Sequence, residues 1–398
     1  MNRNNSISQF DRFSSGERLF LELLHPDVPK HHVHVDEAEI SYLKSMALKH
    51  NLLMLVYTQL RKHQKEFSNN IPLINFLKEV KPLFLNNAAI SMRQESIEKE
   101  IISPLRGRDI DAVVIKGNTI AKEIYNEPSC RTSTDIDILV RSSDVFQVDS
   151  LLSEVGYIRD QERPLEYCFY RIHHAGYKHP RTQTYIEIHW NFGIPFFYNL
   201  SSEEIWAEMR NGNSGKNRMP PELMLIQLFI NHHMNAFRIL KRIVDILWTL
   251  HRYEDVIEWS CFVENLSKVG LIKTASITLH QIQSLWREQA TDMRSFKALN
   301  QEIAQRGFKR PRRLISYFKV TLSENYASRI FKDKLVARFA LDKEWPAIIL
   351  SYLKTSFPNP QAIKGYYKDQ RTWTLPLNYC RFAGFLIKKW IKSDPRNW

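Results

Sequence analysis

Two stretches decide how this chain folds: Ala112-Val113-Val114-Ile115-Lys116-Gly117 and Asp135-Ile136-Asp137-Ile138-Leu139-Val140. The first is a short β-branched run closed by a Lys-Gly turn, and it reads as a buried strand. The second alternates carboxylate and aliphatic side chains, the pattern of a strand with one apolar face. Between them, Asn118 to Tyr125 predicts a helix capped by Asn118 or Thr119, followed by a loop from Asn126 to Thr134. Beyond them, Asp144 to Glu154 predicts another helix, and Gly156-Tyr157 a turn into a further strand. Tyr167 to His173 and Tyr185 to Trp190 then read as a pair of strands around a polar loop holding Gly176 and Pro180.

Outward from this island the texture is helical. Toward the N-terminus, Asp36-Glu37-Ala38-Glu39 supplies the acidic first turn a helix favours. Leu43, Met46, Ala47, His50 and Met54 follow at three- and four-residue spacing, and a second run begins near Ile71. Toward the C-terminus, Pro220-Pro221-Glu222 opens a helix whose run from Leu223 to Ile230 is apolar all round, as burial on every side requires. Ile239, Ile243, Ile246 and Leu247 mark the next helix, and breaks fall near Gly270, Pro311, Pro358 and Pro376. The expectation is an α+β chain in three regions: helical 1–104, an α/β core over 105–195, and helical 196–398.

The chemistry sits on the alternating strand. Residues two apart share a face, so Asp135 and Asp137 project together while Ile136 and Ile138 go to the other side. Paired carboxylates repel unless a cation lies between them. Magnesium takes oxygen ligands and binds through a few carboxylates together with substrate phosphates. Tyr185-Ile186-Glu187-Ile188-His189-Trp190 repeats the logic, with Glu187 and His189 on one face. A third carboxylate on a neighbouring strand completes a metal site for phosphoryl chemistry. Lys116-Gly117 ends a strand before a helix, where a glycine lets backbone approach a phosphate and the helix N-terminus favours an anion. Arg131, four residues before Asp135, is placed to clamp phosphates. Asp109-Ile110-Asp111 has the same spacing but follows the turn Arg106-Gly107-Arg108, and is assigned to a loop.

Composition agrees. The 398 residues carry 56 Lys and Arg against 43 Asp and Glu, a net +13 that favours polyanionic partners such as nucleotides or RNA. Four cysteines without CxxC spacing argue against a disulfide framework or zinc knuckle and for a reducing, cytoplasmic setting. The polar start and the absence of an apolar run of about 18 residues predict no signal peptide and no spanning helix. His31-His32-Val33-His34 reads as a solvated loop, and His232-His233 as core histidines. The basic amphipathic tail from Tyr379 to Trp398 is expected to pack on its own domain rather than on a membrane surface.

Taken together, Val114-Ile115-Lys116-Gly117, Ile124-Tyr125, Pro128, Arg131, Asp135 to Val140, Gly156-Tyr157 and Glu187-Ile188-His189-Trp190 resemble an uncharacterised nucleotidyltransferase family of the DNA polymerase β-like superfamily. The helices around Leu43 to Leu60, and His232-His233 with Arg238 to Asp245, extend the resemblance outward. It implies a minimal mixed sheet with flanking helices in a mostly helical chain. Asp135 and Asp137 correspond to the paired metal-binding aspartates, and Glu187 to the third carboxylate. Lys116, Gly117 and Arg131 stand where the nucleotide's phosphates are held. One departure is plain: superfamily members place their glycine turn shortly before the aspartates, whereas here a helix and a loop intervene. The implied activity is transfer of a nucleoside monophosphate from an NTP, ATP first, to an acceptor hydroxyl on a small molecule, RNA or protein, with Mg²⁺ or Mn²⁺. The rival expectation is a binding module on the same fold without turnover.

Overall fold

The computed structural model describes residues 13–28, 35–65, 69–160, 164–194, 196–211, 218–308, 310–320, 322, 330–343, 346–350, 359–369 and 371–392. Four helices lead: α1 (Ser15–Leu24), α2 (Glu37–Lys49), α3 (Leu53–Lys62) and the long α4 (Ile71–Arg106). Ser14 and Asp36 cap α1 and α2 with full capping boxes, each paired with the glutamate three residues on.

Five strands follow: β1 (Ala112–Val114), β2 (Ile136–Val140), β3 (Ile158–Arg159), β4 (His174–Lys178) and β5 (Tyr185–His189). They form one mixed sheet in the order β1-β2-β5-β4-β3, with β2 and β5 parallel and the other neighbours antiparallel. The short α5 (Asn118–Ile120) runs straight into a π-turn, Ala121–Tyr125, and α6 (Val145–Glu154) and α7 (Leu165–Arg171) complete this part. The C-terminal half is helical. It comprises α8 (Ser202–Asn211), α9 (Pro221–Met234), α10 (Leu240–Arg252), α11 (Trp259–Val269), α12 (Ile272–Asp292), α13 (Arg294–Gln305), α14 (Arg312–Tyr317), α15 (Ile330–Ala337), α16 (Pro360–Tyr367) and α17 (Leu375–Lys392). No described helix is long and apolar enough to cross a membrane.

The two faces of the sheet belong to different cores, and this division positions the site. Ile136, Ile138 and Val140, with Ile186 and Ile188, pack against Val148, Leu151 and Leu152 of α6 and Ile101 and Leu105 of α4. On the opposite face Val113, Ile115 and Leu139 join the large core built by α1–α4 and α9–α13. Helices from both ends of the chain therefore share one interior. Trp248 and Trp286 stitch them, donating indole N–H bonds to the carbonyls of Leu24 (2.8 Å) and Leu21 (2.7 Å).

One strand assignment fails. Residues 165–171 form α7, and the strand starts only at His174. The run Leu165-Glu166-Tyr167-Cys168-Phe169-Tyr170-Arg171 buries Leu165, Tyr167 and Cys168 against α16 and the sheet. That tertiary burial overrides the β preference of its aromatics. Gly176, expected in the loop, lies inside β4, where the Tyr185 ring closes over it and leaves no room for a Cβ. His31, His32 and His34 fall outside the described residues. In α17, Phe382 packs on Tyr167 and Ile363, and the end of the tail beyond Lys392 falls outside the described residues.

Candidate active site

Parallel pairing sets Asp137 directly beside Glu187, and Leu139 beside His189. Because β2 and β5 are in register, their odd-numbered side chains rise on the same face, the one turned toward the α9–α10 side. There the Asp137 Oδ1 accepts hydrogen bonds from Lys116 Nζ and His189 Nε2, both at 2.7 Å. The same Nε2 lies 3.2 Å from Glu187 Oε2. Since both partners are carboxylates, Nε2 carries the proton.

Asp135 stands one residue ahead of β2, half-buried, with Ser133 donating to its Oδ1 at 3.3 Å. Burial, then the charges of Asp137 and Glu187, hold its carboxyl above the usual range. Asp137 is 2% exposed. Burial opposes its ionisation, but the bonds from His189 and Lys116 win and hold it far below that range. Glu187 follows the same balance, with His189 and His174 keeping it low.

Gly117 begins the turn after β1 with φ +62°, and a Cβ there would meet the Ser133 hydroxyl at 3.1 Å. Only glycine holds this left-handed conformation cheaply against that neighbour. Asn118 does not cap α5. Its amide instead ties the turn to α4, donating to the Ser91 carbonyl and to Gln94. Arg131 is buried behind the turn. It forms a two-pronged pair with Asp245 of α10, both bonds 3.2 Å, and reaches the Gly117 carbonyl at 3.5 Å. Tyr125 donates to the same Asp245 at 2.8 Å. Arg131 therefore braces the Lys-Gly turn from behind.

A cleft of about 800 Å³ opens over this surface. Its floor holds Lys116, Gly117, Asp135 and Asp137, and its far wall holds Arg238, Lys241 and Arg242. Lys241 donates to the Thr132 carbonyl at 2.7 Å. Burial, then the Arg131 charge, pushes its ammonium down to about 7. An anion placed here would be held by charge the protein has already gathered. Among the described residues, a carboxylate oxygen from each of Asp137 and Glu187 lies within 4.8 Å of a His189 ring nitrogen and of the other, while Asp135 falls outside that group; the two carboxylates suit a hard divalent cation.

The decoy pair is elsewhere. Asp109 sits in a turn at φ +63°, and Asp111 is exposed and paired with Arg141. His232 and His233 are core residues, bonded to Gln281 and to the Ala337 carbonyl. Sequence reading passed over His173 and His174, because the misplaced strand put them at its end and beyond it. It also left Lys241, Arg242 and Asp245 without a role. An acid on the apolar stripe of the strongly amphipathic α10 was the signal, since a carboxylate facing a core needs a buried cation.

Over residues 36–287, well over half of the chain, the sequence matches the family model described as an uncharacterised nucleotidyltransferase. No curated protein and no solved structure matches it. With a mixed sheet that lines up Asp137 and Glu187 beneath a basic cleft, and a family match spanning that sheet and the helices around it, the chain belongs to this nucleotidyltransferase family.

Proposed function

We propose that the enzyme transfers a nucleoside monophosphate from an NTP, ATP first, to an acceptor hydroxyl, releasing pyrophosphate. The observation that carries this reading is the in-register pair Asp137 and Glu187, with Asp135 and Asp137 lining a cleft that also holds Lys116, Arg238, Lys241 and Arg242. Asp135, Asp137 and Glu187 would hold Mg²⁺ or Mn²⁺, which when bound supplies charge neutralisation at the phosphates and acidifies a nearby hydroxyl. The chain's own groups do the rest. The turn at Gly117 admits phosphate to the backbone, and Lys116, Lys241 and Arg242 offset its charge. The new bond joins the acceptor oxygen to the α-phosphorus while the bond to the β-phosphate oxygen breaks. Glu187, ionised, takes the acceptor's proton, and His189 keeps both strand carboxylates aimed. Catalysis of this kind is chiefly positioning and charge stabilisation. The four cysteines are all free, in keeping with a reducing, cytoplasmic setting. The net charge of +13 keeps RNA among the acceptors beside small molecules and proteins.

The test is a pair of labels. With Mg²⁺ and a cell extract, an α-labelled NTP should mark the acceptor and a γ-labelled one should yield only labelled pyrophosphate. Transfer of the γ-label would make the enzyme a kinase. Mg²⁺ with a non-hydrolysable NTP should also raise the melting temperature beyond the sum of either alone. Saturation at 100 Kd is worth about 2.7 kcal/mol, and each kcal/mol is worth about 2–4 °C for chains of 150–250 residues and less for a longer one. No divalent-dependent binding would leave the cleft without its nucleotide.

A further inference from the structure

Beside His189 lie two histidines the proposed reaction does not use. His173 and His174 lead into β4, and the antiparallel register sets His174 opposite His189. The three imidazoles pack together, with ring centroids 4.6 Å apart for His173–His174, 5.0 Å for His174–His189 and 5.5 Å for His173–His189. One ring nitrogen from each lies within 4.8 Å of those of the other two. His173 is 6% exposed and His189 1%. The Nδ1 atoms of all three are buried and have no hydrogen-bond partner among the described residues.

A buried polar atom left unpaired costs about 1–3 kcal/mol, so three side by side call for an occupant. The tautomer of His189 says what kind. Its Nε2–H points at Asp137 and Glu187, so in the neutral ring Nδ1 holds a bare lone pair. A histidine that gives one ring N–H to a carboxylate and keeps the lone pair of the other nitrogen for a metal forms a carboxylate–histidine–metal arrangement. Imidazole nitrogen suits Zn²⁺ and its neighbours, whereas Mg²⁺ prefers oxygen. Zn–N bonds of about 2.0–2.1 Å set tetrahedral nitrogens about 3.4 Å apart, so the rings need to close by at most about 1.4 Å. The partly exposed His174 gives access from solvent.

We infer that His173, His174 and His189 form a second metal site, for a nitrogen-preferring divalent ion of the zinc type, distinct from the oxygen-lined site of Asp135, Asp137 and Glu187. The ion fixes the His189 tautomer and with it the orientation of both strand carboxylates. This goes beyond the nucleotidyl-transfer reading and does not depend on it.

The experiment uses tag-free full-length protein, stripped with a chelator and dialysed against Zn²⁺ in excess Mg²⁺. Wild type should retain one equivalent of zinc that His173→Gln and His174→Gln each lose, with affinity falling by at least about 10²-fold, beyond the 10–100-fold typical of orienting partners. Asp135→Asn should keep that zinc while losing the synergy between Mg²⁺ and nucleotide, so the two sites fail separately. Zinc binding unaltered by both glutamine variants overturns the proposal, as does wild type that binds none. Should the variants not fold, Co²⁺ on wild type decides. Intense visible bands of a four-coordinate nitrogen-rich centre support the site, and only the pale spectrum of six-coordinate cobalt refutes it.

Discussion

At the scale of single residues, the site turns on which acids are ionised and what holds them so. Asp137 is the pivot, because Lys116 and His189 both bond its Oδ1. Asp137→Asn keeps the shape but removes the charge, and transfer should fall by orders of magnitude while the fold survives. The paired substitution Asp109→Asn with Asp111→Asn should leave transfer near wild type. It costs only the exposed Arg141 pair, and such pairs contribute at most about 1 kcal/mol. Glu187→Gln should preserve metal-dependent NTP binding and lower kcat by at least about 10²-fold if the residue takes the acceptor proton. Normal kcat in that variant would remove it from the chemistry. The alternation of Asp135 to Val140 made this face readable in advance, since a period of two leaves only one side for the carboxylates. The histidines were not readable: their role depends on β4 lying beside β5, which no local pattern states.

Among elements, the contact that matters most joins the Lys-Gly turn to α10. Arg131 and Asp245 are 6% and 0% exposed, and neither could be buried without the other. Asp245→Asn strands the guanidinium and should cost about 3–5 kcal/mol, read as a lowered denaturation midpoint. Replacing the whole polar group, as Arg131→Met and Asp245→Leu with Tyr125→Phe, should recover most of that stability. Activity should stay low, because the brace behind Gly117 is gone. Recovery of activity with stability would mean the pair only fills space. Here sequence reading expected Arg131 to face phosphate. A partner 114 residues away takes its fork instead. The helix at 165–171 was missed for a related reason. Its aromatics suit a strand, and only burial against α16 and the sheet selects the helix.

For the whole molecule, the shared core makes stability sensitive to acid. His232 and His233 are fully interior, and burial holds both at about 4, below the ordinary 6.5. The folded chain thus binds fewer protons than the unfolded chain between those values, and stability must fall as pH drops through that window. Each histidine is worth about 3 kcal/mol at the limit, at 1.36 kcal/mol per pKa unit. His25 and His50 act in the same direction. Glu98, pushed up to about 7 by burial, and Asp135 and Asp342, also raised, oppose them with one proton each. The histidines outnumber them. The melting temperature should therefore decline from about pH 6.5 toward pH 4, and His232→Gln should make the decline shallower. A melting temperature that rises on acidification would contradict the neutral core. The helical ends were legible from their periodicity, but that they share one interior was not, because contacts such as Trp286 to Leu21 span most of the chain.

The parallel pairing of β2 with β5 also has a consequence in time. β1 and β2 form one antiparallel unit, β3, β4 and β5 another, and only the β2–β5 seam joins them. Asp137 and Glu187 meet across that seam, so neither unit alone owns the site. Long-range parallel contacts form slowly because their loop must close before any bond rewards it. During synthesis or refolding, the chain can complete most of its helices while still unable to hold a nucleotide. The ability to do so then arrives in one step, when the two units dock. Until that docking, a refolding chain is helical protein without an enzyme in it.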